Sequence, residues 1–243
     1  MIKRFNRYEI KYSVPARAMA PLVEDLRRFL EPDPHSSRSG FYRIASLYFD
    51  TPDLACYRNK IDGLLYRRKL RIRVYPDAPD GPAFVEIKQR INRTVQKRRI
   101  ALPLESAYRL CRGDPDYEFA DGQDRELADE VHCLVKALRL TPKNVISYTR
   151  MAFVGHFVDP GLRVTFDSMI RTRRAGFDLE TRRSEILAYP ADRVVLEVKA
   201  NERVPHWLVA MLARHECPMD RISKYCHGIA RIMQAERIRM ETA

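Results

Sequence analysis

Four short stretches of this chain carry long ionised side chains at every second residue. In Leu70-Arg71-Ile72-Arg73-Val74-Tyr75, the two arginines alternate with aliphatic residues. Glu9 and Lys11 alternate with Ile10 and Tyr12, Glu86 and Lys88 with Val85 and Ile87, and Glu197 and Lys199 with Leu196 and Val198. Successive side chains on a strand point to opposite faces, so each stretch has one apolar face and one charged face. A solvated sheet face mixes Thr, Ser and Gln with its charges, whereas these faces are mostly Arg, Lys and Glu. If they line one shared interior, its cations need an anion, because unpaired buried charge is costly. A triphosphate or a phosphate chain meets that need. Arginine grips phosphate oxygens with a planar fork, and lysine acts as a point charge. The acidic members, Glu9, Glu86 and Glu197, have two readings of equal weight. They are structural ion pairs, or they hold a divalent metal that bridges phosphate oxygens.

The bulk numbers agree with an anionic ligand. The chain has 243 residues, enough for one large β domain or two small ones. Lys and Arg number 44 against 32 acidic residues, a net charge of +12. That excess favours nucleic acid, an anionic membrane surface, or a nucleotide or phosphate polymer. Cations on alternating strand positions argue against nucleic acid, which needs them on the outer surface. The five cysteines form no CxxC pair, which suggests reduced thiols in a cytoplasmic protein. The basic N-terminus leads into no apolar run, so no signal peptide is expected. No stretch approaches the roughly 18 to 20 apolar residues of a spanning helix. His215-x-Cys217 and Cys226-His227 lack the spacing of zinc ligands. No serine or cysteine nucleophile stands with a paired base.

The elements that must position these residues follow from pattern and turn signals. Strands are expected over 5–14, 41–49, 64–75, 83–90, 94–102, 145–154, 162–172, around 183–189, and over 193–199. A helix is expected over 18–30, with Leu22, Val23, Leu26, Phe29 and Leu30 on one side and Pro21 confined to its first turn. A short helix should cover 52–60. Residues 103–140 read as a helical insertion, with Leu127, Val131, Leu134, Val135 and Leu138 at helical spacing. Helices close the chain at about 205–214 and 223–238. About eight strands in two runs suit an α+β domain built on an eight-stranded antiparallel β-barrel. The whole of 1–243 is then one domain.

Six motifs stand in one order: Arg7-Tyr8-Glu9-Ile10-Lys11-Tyr12, Ser46-Leu47-Tyr48-Phe49-Asp50-Thr51, Lys69 to Tyr75, Glu86-Ile87-Lys88, Leu196-Glu197-Val198-Lys199 and Ser223-Lys224-Tyr225. Over almost its full length the chain resembles the VTC (vacuolar transporter chaperone) domain of the CYTH superfamily of triphosphate tunnel enzymes. The resemblance implies a tunnel-shaped barrel and a polyphosphate polymerase that moves the terminal phosphoryl group of ATP onto a growing chain, with Mn²⁺ or Mg²⁺. By the same resemblance Lys11, Arg71, Arg73 and Lys88 match the basic tunnel positions of the first half, and Arg150 and Arg163 those of the second. Glu197 matches the metal-binding glutamate. Lys224 matches the second lysine of a Lys-Phe-Ser-Lys-like motif, whose first position here is Arg221. The family also implies a separate membrane-embedded partner, which would hold the protein at the inner face of a membrane.

Other readings of the same residues stay open. A relative with the same cationic lumen would hydrolyse a triphosphate or cyclise ATP, and a non-catalytic module would only bind polyphosphate or a nucleotide. Trp207 reads as a packing residue. The clusters Lys97-Arg98-Arg99, Arg171-Thr172-Arg173-Arg174 and Arg182-Arg183 read as solvated strand ends or as guides for a phosphate chain.

Overall fold

The computed structural model describes residues 7–34, 36, 40–92, 94–114, 122–156, 159–174, 176–179, 184–201 and 203–241. In chain order the elements are β1 (Arg7–Pro15), α1 (Ala16–Leu26), β2 (Leu30–Pro32), β3 (Phe41–Asp50), α2 (Ala55–Ile61), β4 (Tyr66–Val74), β5 (Ala83–Ile91) and β6 (Thr94–Leu102). They continue with α3 (Leu104–Arg112), α4 (Gly122–Leu138), β7 (Thr141–Gly155), β8 (Arg163–Arg174), β9 (Ile186–Leu187), β10 (Arg193–Asn201), α5 (His206–Arg214) and α6 (Lys224–Glu241). The strands follow the hydrogen-bonded order β1-β10-β8-β7-β3-β4-β5-β6, with β2 on β7 and β9 on β8. Eight of the nine expected stretches form the strands of this path, the one around 183–189 is the short β9 off it, and β2 is not among those expected. Among the described residues nothing pairs β6 back to β1. The sheet is an open antiparallel one with flanking helices, and the word barrel fits it only loosely. Among the described residues no helix is long and apolar enough to cross a membrane.

Two compact units divide the chain. The first comprises the described residues of Met1–Arg43, Tyr148–Ile170 and Tyr189–Ser223. Alternation sends Tyr12 and Val14, Val164 and Phe166, and Val194, Leu196 and Val198 to one side of β1, β8 and β10. Leu22, Val23 and Leu26 of α1 and Leu208, Met211 and Leu212 of α5 cover them. The helix α1 starts right after Pro15 and places Pro21 in its second turn. That departs from the expected first turn, and it leaves the Arg17 carbonyl without an N–H four residues on. The helix also stops at Leu26 instead of reaching residue 30. Leu30 is buried in the same core as part of β2, while Phe29 turns outward and stacks on Trp207 at 4.3 Å. The outer edge of β1 is covered by residues 218–220. Ser13 N–H donates to the Pro218 carbonyl at 3.1 Å and Asp220 N–H to the Lys11 carbonyl at 2.8 Å. This masks a strand edge that would otherwise pair with another chain.

The second unit comprises the described residues of Ile44–Ser147, Arg171–Ala188 and Lys224–Ala243. Here the apolar sides of β4, β5 and β6, with Leu70, Ile72, Val85, Ile87 and Ile100, are covered by Leu110 of α3 and Leu127, Val131, Leu134 and Val135 of α4. The helical insertion therefore closes this core. Leu138, at the same helical spacing, ends up 43% exposed. Gly113 ends α3 in the left-handed region, φ 85°, so that the Asp114 N–H reaches the Arg109 carbonyl at 3.1 Å.

Two contacts tie α6 into this unit. The fully buried Asp50 accepts the Thr51 and Cys56 N–H groups, each at 2.7 Å, on one oxygen. Its other oxygen accepts the Tyr57 N–H at 2.9 Å and the Tyr225 hydroxyl. One carboxylate thus joins the end of β3 to the start of α2 and to α6. Farther along, α6 presses on β7 and β8 at Gly228. A methyl group there would lie 2.4 Å from Ile146 Cδ1, 2.6 Å from Asn144 Nδ2 and 2.8 Å from Thr172 Oγ1. Asn144 and Thr172 are fully buried and hydrogen-bonded to each other at 3.1 Å.

Gly228→Ala is expected to lower the melting temperature by several degrees. Overpacking costs about 1–3 kcal/mol, and the helix propensity gained, about 1 kcal/mol, offsets only part of it. Thermal unfolding of the variant checks this, and a rise in melting temperature would show that α6 has room at this point.

Candidate functional site

The charged side chains of β4, β5 and β6 are arranged by strand register. Arg71 lies opposite Glu86, Lys69 opposite Lys88, and Arg67 opposite Arg90. On the next strand Arg99 lies opposite Glu86 and Lys97 opposite Lys88. Directly opposed residues share a face, so these cations and Arg73 all project away from the core. From β3, Tyr48 and Ser46 join the same face opposite Arg71 and Arg73. Like charges placed opposite one another destabilise a sheet, and Glu86 is the carboxylate that offsets them. It is 1% exposed and receives Arg71 Nε at 2.6 Å, Arg71 Nη2 at 2.5 Å, and Lys97. Burial alone would raise its pKa, but Arg71, Arg73 and Lys97 hold the carboxyl well below the usual range. Glu86 is thus the centre of a set of ion pairs.

The same field acts on its neighbours. Arg71 Nη1 donates to the Tyr48 hydroxyl at 2.8 Å. Burial opposes ionisation of that phenol, yet Arg71 and Arg73 outweigh it and bring its pKa down to about 8. Lys97 is lowered to about 8, first by burial of its ammonium end and then by Arg71, against the pull of Glu86. Arg73 is 6% exposed and donates Nε to Ser46 Oγ at 3.1 Å. Lys69 sits over the Tyr225 ring, 5.0 Å from its centroid. Lys88 is half-buried, between Lys69 and Lys97 in register. Lys224 opens α6 directly before Tyr225 and is also half-buried.

In the first unit the charged face is built from β1, β10, β8 and β7. Lys11 lies opposite Glu197, and Glu9 opposite Lys199. Lys11 Nζ donates to the Ile222 carbonyl at 3.2 Å and stands 3.5 Å from Glu9 and 3.6 Å from Glu197. The other Glu197 oxygen is 2.8 Å from Lys199 Nζ. Arg150 is held by a fork to the fully buried Asp167, at 2.6 and 2.7 Å, and lies over the Tyr148 ring at 5.3 Å. Burial disfavours its charge, but Asp167, Tyr148 and Glu197 raise its pKa further still. Arg163 Nη2 donates to Asp33 at 2.5 Å and to the Tyr42 hydroxyl at 3.1 Å. Its Nε, and the Thr165 hydroxyl opposite Glu197, are buried and find no hydrogen-bond partner among the described residues. Buried donors left in this state are what a bound anion would satisfy. Arg221 is exposed and its backbone N–H donates to Asp220, so its side chain takes no position in a helix beside Lys224.

Register thus groups Lys11, Glu197 and Arg163 in one unit, where the fork to Asp167 adds Arg150, and Arg71, Arg73 and Lys88 in the other. Pattern reading did not assign to the face of Arg71 either Lys69, which it quoted only within a motif, or Lys97, which it read only as part of a basic cluster. Continuing the alternation back from Arg71 would have found Lys69. Lys97 needed the hairpin register. Of the other basic clusters, Arg98 pairs with Glu130 at 2.5 Å, and Arg99 lies over the Phe84 ring at 4.8 Å. Arg173 reaches the Asp178 carbonyl at 2.7 Å and Arg174 pairs with Glu236 at 2.6 Å. Arg182 and Arg183 lie outside the described residues. Among the described residues no three His, Cys, Asp or Glu converge as a metal cage. A single carboxylate completed by phosphate oxygens and water is nonetheless how Mg²⁺ is commonly bound. Glu197 is itself paired, with Lys199 at 2.8 Å and Lys11 at 3.6 Å.

The sequence profile of the VTC domain matches residues 6–233. No curated protein sequence matches the chain significantly. A candidate adenylate cyclase from Bacillus halodurans is similar in fold, with a TM-score of 0.51 and 13% identity over 90% of this chain and 95% of its own. A candidate adenylyl cyclase from Hippeastrum, described as having a dominant triphosphatase activity, gives a TM-score of 0.49 and 15% identity over 89% and 92%. The ordered motifs, the antiparallel sheet with its charged faces and the profile match converge: the chain belongs to the VTC-domain family.

Proposed function

We propose that the protein is a polyphosphate polymerase, which transfers the terminal phosphoryl group of ATP to the end of a growing polyphosphate chain. Membership of the VTC-domain family supports a phosphoryl-transfer role. The observation that carries the finer reading is the file of cations along β4, β5 and β6, for which Glu86 is the shared carboxylate. On this reading Lys11, Arg71, Arg73, Lys88, Arg150, Arg163, Arg221 and Lys224 bind phosphates, and Lys69 and Lys97 join them. In the reaction an oxygen of the chain end bonds to the terminal phosphorus of ATP, and the bond from that phosphorus to the bridging oxygen breaks. ADP leaves and the chain gains one unit. Such a transfer needs alignment and charge neutralisation more than covalent chemistry. Rows of fixed cations supply both without reorganising during the reaction. Glu197 would hold a Mn²⁺ or Mg²⁺ ion, which when bound supplies further positive charge to the phosphate oxygens.

The test is product analysis. Purified protein incubated with ATP and Mn²⁺ should yield a ladder of polyphosphate on a resolving gel. Free phosphate alone would indicate a triphosphatase, cyclic nucleotide a cyclase, and no turnover a binding module.

Two variants test the residues. Glu197→Gln keeps shape and removes the charge that a hard cation requires. It should abolish polymer synthesis, while metal-free triphosphate binds at least as well because a repelling anion is gone. Normal turnover at saturating Mn²⁺ would remove Glu197 from the mechanism. A fall in melting temperature with proportionate loss of activity would make it an ion-pair residue. The second test uses pH. As pH rises through about 8, Lys97 loses its positive charge and Tyr48 gains a negative one. Both changes weaken anion binding, so triphosphate affinity should fall across this range. Losing one charged hydrogen bond is worth about 1.5–3 kcal/mol, tenfold or more. Lys97→Arg should flatten the profile measured by calorimetry. A profile identical to the parent's would exclude Lys97 from the phosphate face.

A further inference from the structure

One surface of the second unit combines exposed apolar residues with flanking cations. Residues 61–66, joining α2 to β4, are all exposed. They include Ile61 at 62%, Leu64 at 47%, Leu65 at 68% and Tyr66 at 47%, and Ile91 directly across from Tyr66 is 44% exposed. Single exposed apolar side chains need no explanation, but Leu64, Leu65 and Tyr66 in succession, with Ile91 across from Tyr66, do. Backbone hydrogen bonds hold the group in place. Leu64 N–H donates to the Asn59 carbonyl at 3.0 Å, and Asn92 N–H to the Leu65 carbonyl at 2.9 Å.

The next residues along both strands are cationic. Arg67 and Arg90 lie directly opposite each other, and neither forms an ion pair with a carboxylate among the described residues. Arg90 Nε donates to the Asn92 carbonyl at 2.8 Å. Arg68 lies over the Tyr66 ring at 5.2 Å, and its Nε is buried with no hydrogen-bond partner among the described residues.

We propose that this tip docks on an anionic lipid surface, with Leu64, Leu65, Tyr66 and Ile91 entering the headgroup layer and Arg67 and Arg90 facing lipid phosphates. The inference is independent of the polymerase reading. Apolar insertion and basic attraction are each weak alone and bind stably together. A second copy of the chain fits poorly, because it would bring its own arginines against these.

The experiment is co-sedimentation of the whole protein with vesicles of phosphatidylcholine alone or mixed with phosphatidylserine. Binding is expected to the mixed vesicles only. The double variant Leu65→Ser/Ile91→Ser should bind them about tenfold more weakly or less, with unchanged melting temperature and unchanged turnover of ATP in solution. Absence of binding to the mixed vesicles overturns the proposal. So does binding that the variant leaves intact, since the overall positive charge would then account for it. Self-association in sedimentation velocity that the variant abolishes, without an effect on vesicles, would overturn it in favour of a second copy.

Discussion

Mutual repulsion among cations on adjoining strands is the constraint that shapes this protein. In the second unit Glu86 makes the arrangement tolerable. It is buried, and two nitrogens of Arg71 and the ammonium of Lys97 close on it. In the first unit the buried Asp167 does the same for Arg150. Breaking a buried pair from one side typically costs about 3–5 kcal/mol, because the remaining charge is left uncompensated. Arg71 and Arg150 therefore have a structural duty beside any functional one. Lys88 and Lys69 carry charge on the same face with less of that burden, since neither is among the deeply buried cations.

Glu86 does not cancel the excess. Along β4, β5 and β6 the cations outnumber it, and their effect is visible on groups that are not cationic: the Tyr48 phenol becomes more acidic than its burial would allow. On the proposed reading this excess of cations favours an anion, and phosphates spaced along the strands would complement it. The proposed transfer reaction uses the same property twice, first to align the donor and acceptor phosphates and then to spread the charge of the transferred group. Apolar packing on the opposite sheet face keeps the strands in register. The helices α3 and α4 are therefore as necessary to the charged face as its own residues are.

Much of this was legible in the sequence. Alternation alone separates Arg71 and Arg73 from Leu70 and Ile72, and the structure keeps that separation. The hairpin from β5 to β6 follows the sequence pattern closely. Three things were not legible. β2 is three residues long and follows α1 so closely that Phe29 and Leu30 read as a helix tail. Closure of the sheet depends on which strands end the path, and local pattern carries no information on that. Partners of the arginines come from far away in the chain: Asp33 is 130 residues from Arg163, and Asp167 is 17 from Arg150. The same limit left Lys97 within a basic cluster, since its place beside Glu86 exists only once β5 and β6 are paired.

The central claim is that the charged faces are built for linked phosphates. Thermal unfolding at low salt, with inorganic triphosphate compared against monophosphate at matched ionic strength, tests it most directly. A ligand that binds only the folded protein stabilises it by about 2.7 kcal/mol at a hundredfold excess over its dissociation constant. The account predicts a clear rise in melting temperature with triphosphate and a much smaller one with monophosphate. No shift at millimolar triphosphate, or equal shifts with the two anions, would contradict it.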